Sequence, residues 1–116
     1  MRGVRDIRQV YGFEVLEDFG GHGIGRKFHQ PPVVSHAEAA AGSDTQLLPG
    51  YVFTLEPIFL AGHKNTTRAA DGWSVTTDDG ALASHFEHTV GVTESHCRVF
   101  TEAKKEKPED DQLEGF

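Results

Sequence analysis

Apolar residues alternate with polar ones along most of this chain, and helical spacing shows only at its start. Val4, Ile7 and Tyr11 recur at intervals of three and four among arginines, which predicts the end of a helix over residues 2–11, stopped by Gly12. Phe13 to Phe19 alternates loosely, with Phe13 and Val15 on one face, and predicts a strand. Tyr51 to Glu56 predicts another, interrupted by Pro57, with Val52, Thr54 and Glu56 sharing a face. Trp73 to Thr77 resumes strand chemistry. A longer strand from about Ser84 to Thr93 sets Phe86, His88, Val90 and Val92 on one face and His85, Glu87, Thr89 and Gly91 on the other. Cys97 to Thr101 is a last short strand.

The connections follow from turn chemistry. Gln30-Pro31-Pro32-Val33-Val34 is an extended connection, because the prolines fix φ and hold their predecessors extended. Residues 35–48 read as a surface loop with room for one helical turn, and His36 within it as exposed. Leu48-Pro49-Gly50 and Asp78-Asp79-Gly80 are turns, and Ala61 to Gly72 is a polar loop or hairpin excursion. From Glu102 onward the chain is a charge run without periodicity and with too little apolar surface to order itself. The expected organisation is one domain over residues 1–101 and a charged tail over 102–116.

Composition narrows the function classes. A chain of 116 residues suffices for one domain with a modest core. The net charge of −7, without a Lys/Arg stripe, lacks the electrostatic footprint of nucleic-acid binding. No apolar run approaches transmembrane length, so no membrane partner is expected. The single cysteine, Cys97, permits no internal disulfide and reads as a packed thiol. With no charged-then-apolar leader at the start, a cytoplasmic setting is expected.

Candidate chemistry concentrates in Phe19-Gly20-Gly21-His22-Gly23-Ile24-Gly25-Arg26-Lys27-Phe28-His29, a run that holds two histidines seven apart and four glycines. Glycine tolerates positive φ and close backbone approach, so this density implies a turn built around something bound. It is not a phosphate loop, since neither G-x-G-x-x-G before a helix nor G-K-[ST] is present. A lone histidine near glycines is more often a surface or packed residue than a ligand, so the rest of the chain must decide. Glu56 and Glu87 lie in or at the end of β-rich runs that would neighbour one another in an antiparallel meander. A carboxylate inside a sheet is costly unless paired or metal-bound, whereas one at a strand end is simply solvated. Taken with His22 and His29, they form a His/Glu set suited to divalent first-row metals, although spacing does not establish convergence.

Four blocks carry a resemblance: the Phe19 to His29 stretch, Pro49-Gly50-Tyr51-Val52-Phe53-Thr54-Leu55-Glu56-Pro57-Ile58, Asp71-Gly72-Trp73-Ser74-Val75, and Phe86-Glu87-His88-Thr89-Val90. In this order and separation, from about residue 4 to residue 101, they resemble type I methionine aminopeptidases. The related prolidase and creatinase group usually has Glu-Asp-Thr where this chain has Glu87-His88-Thr89. The resemblance implies an α+β fold, the C-terminal half of a pita-bread fold, with an antiparallel sheet and a short N-terminal helix. It also implies a metallopeptidase that removes the N-terminal methionine of nascent proteins. His22, Glu56 and Glu87 match metal ligands, with Glu87 bridging two ions. His29 matches the histidine that contacts the substrate, Phe28 and Trp73 match the wall of the methionine pocket, and Glu56 is the candidate proton shuttle.

The chain departs from the family pattern by omission. The family site also uses two aspartates and a further histidine from an N-terminal half, and Asp6, Asp18 and Asp44 do not stand in matching contexts. Of the two divalent ions in the complete site, whether Co, Mn, Fe, Zn or Ni, at most one is expected here. Activity then requires a companion N-terminal half or a second copy, and its substrate is a peptide or nascent-protein N-terminus. The alternative is an inactive truncated or split module acting through a protein partner. A metal-binding protein without catalysis is a third reading.

Overall fold

The computed structural model describes residues 10–36 and 45–103. Within them the chain forms ten short strands: β1 (Glu14–Val15), β2 (Gly21–Gly23), β3 (Gln30–Val34), β4 (Val52–Leu55), β5 (Ile58–Leu60), β6 (Thr66–Arg68), β7 (Val75–Thr77), β8 (Ala83–His85), β9 (His88–Val92) and β10 (Cys97–Val99). They pair antiparallel into a five-stranded sheet ordered β10-β9-β4-β2-β3, a three-stranded sheet ordered β1-β5-β8 and the β6-β7 hairpin. Val10 and Tyr11, the last two residues of the expected helix, are helical, and the rest of that helix lies outside the described residues; every other regular element described is a strand of antiparallel sheet. Of the helix expected over 2–11, only Val10 and Tyr11 are described, followed by Gly12 at φ +71°. The loop at 37–44 and the tail beyond Ala103 also lie outside the described residues.

Two strands differ from the alternation pattern for a common reason. The pairing of β4 with β9 runs from Val52↔Gly91 to Leu55↔His88, and that of β5 with β8 from Ile58↔His85 to Leu60↔Ala83. Both ladders keep one register, as if a single long antiparallel pair had been interrupted. Pro57 has no N–H to give the ladder, so pairing fails across Glu56-Pro57 and Phe86-Glu87 and resumes in the other sheet. The predicted strand from Ser84 to Thr93 is therefore two strands, β8 and β9. The register sets Glu56 opposite Glu87 at the break.

Other corrections concern edges. The strand expected over Phe13 to Phe19 shrinks to the two residues of β1. Gln30 to Val34 is a strand, not merely a connection, and its prolines fit because β3 is an edge. Cys97 is exposed on the opposite edge, β10, whose three residues are all exposed, so it is not a packed thiol. The core is small: Val15, Leu16 and Leu60 belong to the three-stranded side, and Phe53 and Val90 pair within the larger sheet.

Candidate metal centre

Thr54 anchors the centre. It is fully buried on β4, beside Phe53, whose partner across the ladder is Val90 and whose other neighbour is Gly23 of β2. Its hydroxyl oxygen accepts the backbone N–H of His22 at 2.9 Å and donates to Glu56 Oε1 at 2.6 Å. One buried side chain thus ties the His22 backbone to the Glu56 carboxylate. The alternation along β4 that places Thr54 and Glu56 on one face is what permits this.

The glycines around His22 make that approach possible. A Cβ on Gly21 would collide with the Thr54 carbonyl oxygen, and one on Gly23 with the Pro31 carbonyl oxygen. Neither has positive φ; among the described glycines that conformation belongs to Gly12, Gly50, Gly72 and Gly80. The glycine density therefore serves a strand squeezed between β3 and β4, not a turn wrapped around a ligand.

His22 lies 3.0 Å through Nδ1 from the Gly23 carbonyl oxygen, which can only accept, so Nδ1 carries the proton. Its Nε2 then stands 3.7 Å from Glu56 Oε1. On the other side of the same carboxylate, His85 Nε2 stands 3.7 Å from Oε2. Donor atoms of Glu56, His85 and Glu87 all lie within 4.8 Å of one another, Glu56 being half-buried and the other two exposed. His85 was not singled out as a ligand from the sequence, although its position two residues before Glu87 on the same predicted face was the available signal.

Beneath the cluster lies His36, which is buried and not exposed as its loop context suggests. Its Nε2 accepts the Glu56 backbone N–H at 3.0 Å, and its Nδ1 is buried without a partner among the described residues. Burial holds this imidazole below its ordinary value; the Glu56 charge pulls it back up, and His85 pushes it further down. Pro32, Val34 and His36 continue the inward face of β3, so period-two alternation carried past Val34 would have revealed it.

His29, Phe28 and Trp73 are arranged differently. The exposed His29 ring stands edge-on to His22 at 4.2 Å between centroids, and Phe28 lies 4.7 Å from His29 and 5.5 Å from His22. Phe28 is 70% exposed. Trp73 lies in the β6-β7 turn, 86% exposed, its backbone N–H held by Asp71 Oδ1 at 2.9 Å. The hydroxyl of Ser74 and the N–H groups of Trp73 and Ser74 hold the Asp71 carboxyl below its usual range. The structure thus gathers His22, Glu56 and Glu87 with His85, sets Phe28 and His29 beside them, and leaves Trp73 on a separate hairpin.

The profile of metallopeptidase family M24 matches residues 2–94. The chain belongs to this family. It is 39% identical over 102 residues to methionine aminopeptidase of Aquifex aeolicus, covering 87% of this chain and 40% of that enzyme. Against methionine aminopeptidase of Escherichia coli strain K12 it is 41% identical over 98 residues, covering 84% and 37%. The crystal structure of methionine aminopeptidase from Rickettsia prowazekii superposes with a TM-score of 0.76 at 39% identity, over 84% of this chain and 39% of that one. That of the Thermotoga maritima enzyme gives 0.78 at 31%, over 86% and 40%. The M24 chain here therefore spans about two fifths of the length of the relatives it matches. No helix among its described residues is long and apolar enough to cross a membrane.

M24 membership implies a divalent metal, and the donor set fits one. Two carboxylates opposite each other and two imidazoles supply the nitrogen and oxygen donors that first-row divalent ions take. The continuous register sets the Glu56 and Glu87 carboxylates opposite one another at the break between the ladders, where like charges repel. A cation between them relieves that repulsion.

Proposed function

We propose that this chain supplies one side of the metal centre of a methionine aminopeptidase, which removes the N-terminal methionine from nascent proteins. The observation that carries the reading is the shared interruption of the two ladders, which sets Glu56 opposite Glu87 with His22 against the same carboxylate. In this reading His22, Glu56 and Glu87 hold a divalent ion. When bound, the ion supplies Lewis acidity toward the first peptide carbonyl and lowers the pKa of a water at the site.

The chain's own residues then divide the remaining work. Glu56 is the proton acceptor: Oε1 is oriented by the Thr54 hydroxyl, and Oε2 stands 3.7 Å from the Nε2 of His85. His29, exposed and edge-on to His22, is placed to donate to the oxygen that gains charge as the carbonyl is attacked. Phe28 offers an apolar ring beside it for the methionine side chain, and Trp73 forms the opposite wall once the hairpin is covered.

Two aspartates expected of the family site have no counterpart among these 116 residues, so in this reading catalysis draws further donors from an N-terminal half or a second copy. The test is hydrolysis of a Met-Ala-Ser peptide in manganese or cobalt. The purified chain alone should show no turnover above buffer, and a mixture with an aspartate-bearing N-terminal half should restore it. Robust turnover by the chain alone would overturn the shared-centre reading. Absence of turnover in a mixture shown to associate and bind metal would favour the inactive module instead.

A further inference from the structure

We infer that His85 is a metal ligand of this chain, joining His22, Glu56 and Glu87 in a one-ion site that needs no donor from elsewhere. This deepens the reading above and rests on it. The family resemblance gives His85 no role, so the inference comes from its position.

Its side chain is 47% exposed on β8, whose three residues all face solvent, so packing does not account for an imidazole there. The register pairs it with Ile58, the first residue after the Glu56-Pro57 break, which places it next to the carboxylates there. Its Nε2 stands 3.7 Å from Glu56 Oε2, longer than a hydrogen bond, and its donor atom lies within 4.8 Å of those of both Glu56 and Glu87. His22 meets the other oxygen of the same carboxylate, also at 3.7 Å. The Glu56 carboxylate is thus flanked by one imidazole on each oxygen, with Glu87 across the ladder. A nitrogen donor at this place compensates for oxygen donors that would otherwise come from outside the chain, and it binds first-row ions at least as well. The conformational demand is small, because an exposed side chain at a strand end rotates without disturbing the ladder.

The experiment uses the full chain and cobalt(II) as the probe, followed by calorimetric titration, with circular dichroism to confirm the fold. The wild type should take up one ion, and His85→Gln, which keeps a polar side chain but removes the imidazole, should bind at least ~10-fold more weakly. Proton NMR of the cobalt complex gives a measurement independent of any variant. Paramagnetically shifted, exchangeable imidazole N–H signals should number two in the wild type, for His22 and His85, and one in His85→Gln. Equal affinity and unchanged imidazole signals in His85→Gln, with binding lost in Glu87→Gln, would overturn the inference and leave the metal-centre reading standing. Unchanged binding in Glu56→Gln and Glu87→Gln as well would overturn both. A folded wild-type chain that takes up no ion would overturn the inference alone, since complementation tests the shared centre.

Discussion

The cluster at the β4/β9 break and the aromatic residues around it are built on opposite terms. Glu56, Glu87, His22 and His85 are brought together by ladder register and by one buried hydroxyl, all internal to the chain. Phe28 and Trp73 hang on outer elements, mostly exposed, on two different sheets. Side-chain donors therefore converge without help, whereas an apolar pocket needs a cover that these strands do not provide. The contrast separates the two halves of the proposed chemistry: in that proposal the metal donors are gathered by this chain's own fold, and methionine selectivity comes from whatever closes over it.

The strongest way to break that contrast is to attack the fold where it makes the site. In Gly21→Ala the new methyl group meets the Thr54 carbonyl oxygen, which is backbone and has nowhere to move without shifting β2 or β4. We expect a loss of ~3 kcal/mol in unfolding free energy, at the upper end for overpacking, read as a lowered urea midpoint. A smaller loss of metal affinity should accompany it, because His22 rides on the displaced strand. A wild-type midpoint would mean that β2 does not pack as described.

Thr54→Val tests the same side of the comparison with a smaller cut. Valine keeps the shape but loses the hydroxyl, so the His22 N–H is left without its acceptor and Glu56 Oε1 without its donor. The expected cost is ~2 kcal/mol, since an unmatched buried donor costs more than the bond itself contributed. Metal affinity should fall ~10-fold, the scale for a group that orients a ligand without touching the ion. Equal loss on both axes from Thr54→Ser, which retains the hydroxyl, would show that the methyl packing mattered and not the hydrogen bonds.

Legibility in the sequence divides along the same line. The facing of Thr54 with Glu56 follows from alternation, and Pro57 marks where the strand must stop, so two carboxylates in neighbouring strands could be read directly. Their being opposite one another could not, because register depends on pairing across some thirty residues and nothing local encodes it. The glycines near His22 were visible, but their cause was not: close approach of neighbouring backbone leaves the same signature as positive φ. His36 and Cys97 went the wrong way for a related reason. Each sits in a locally ambiguous segment, and burial is decided by which strand ends at the edge of the sheet and which continues beneath it.

The smallest expected effect sharpens the contrast from its other side. Trp73 is 86% exposed, and the hydrogen bond that shapes its turn runs from its backbone N–H to Asp71, so truncating the side chain leaves the turn intact. Trp73→Ala should change the unfolding free energy of the chain by less than ~0.5 kcal/mol, as for an exposed position free of special features. Its metal affinity should match that of the wild type. In the completed enzyme the same substitution should raise KM for methionyl peptides while leaving metal stoichiometry untouched, because only there does the indole acquire a partner. A clear destabilisation of the isolated chain would show that the β6-β7 hairpin already packs its tryptophan, and that the pocket wall, like the metal ligands, is built from within.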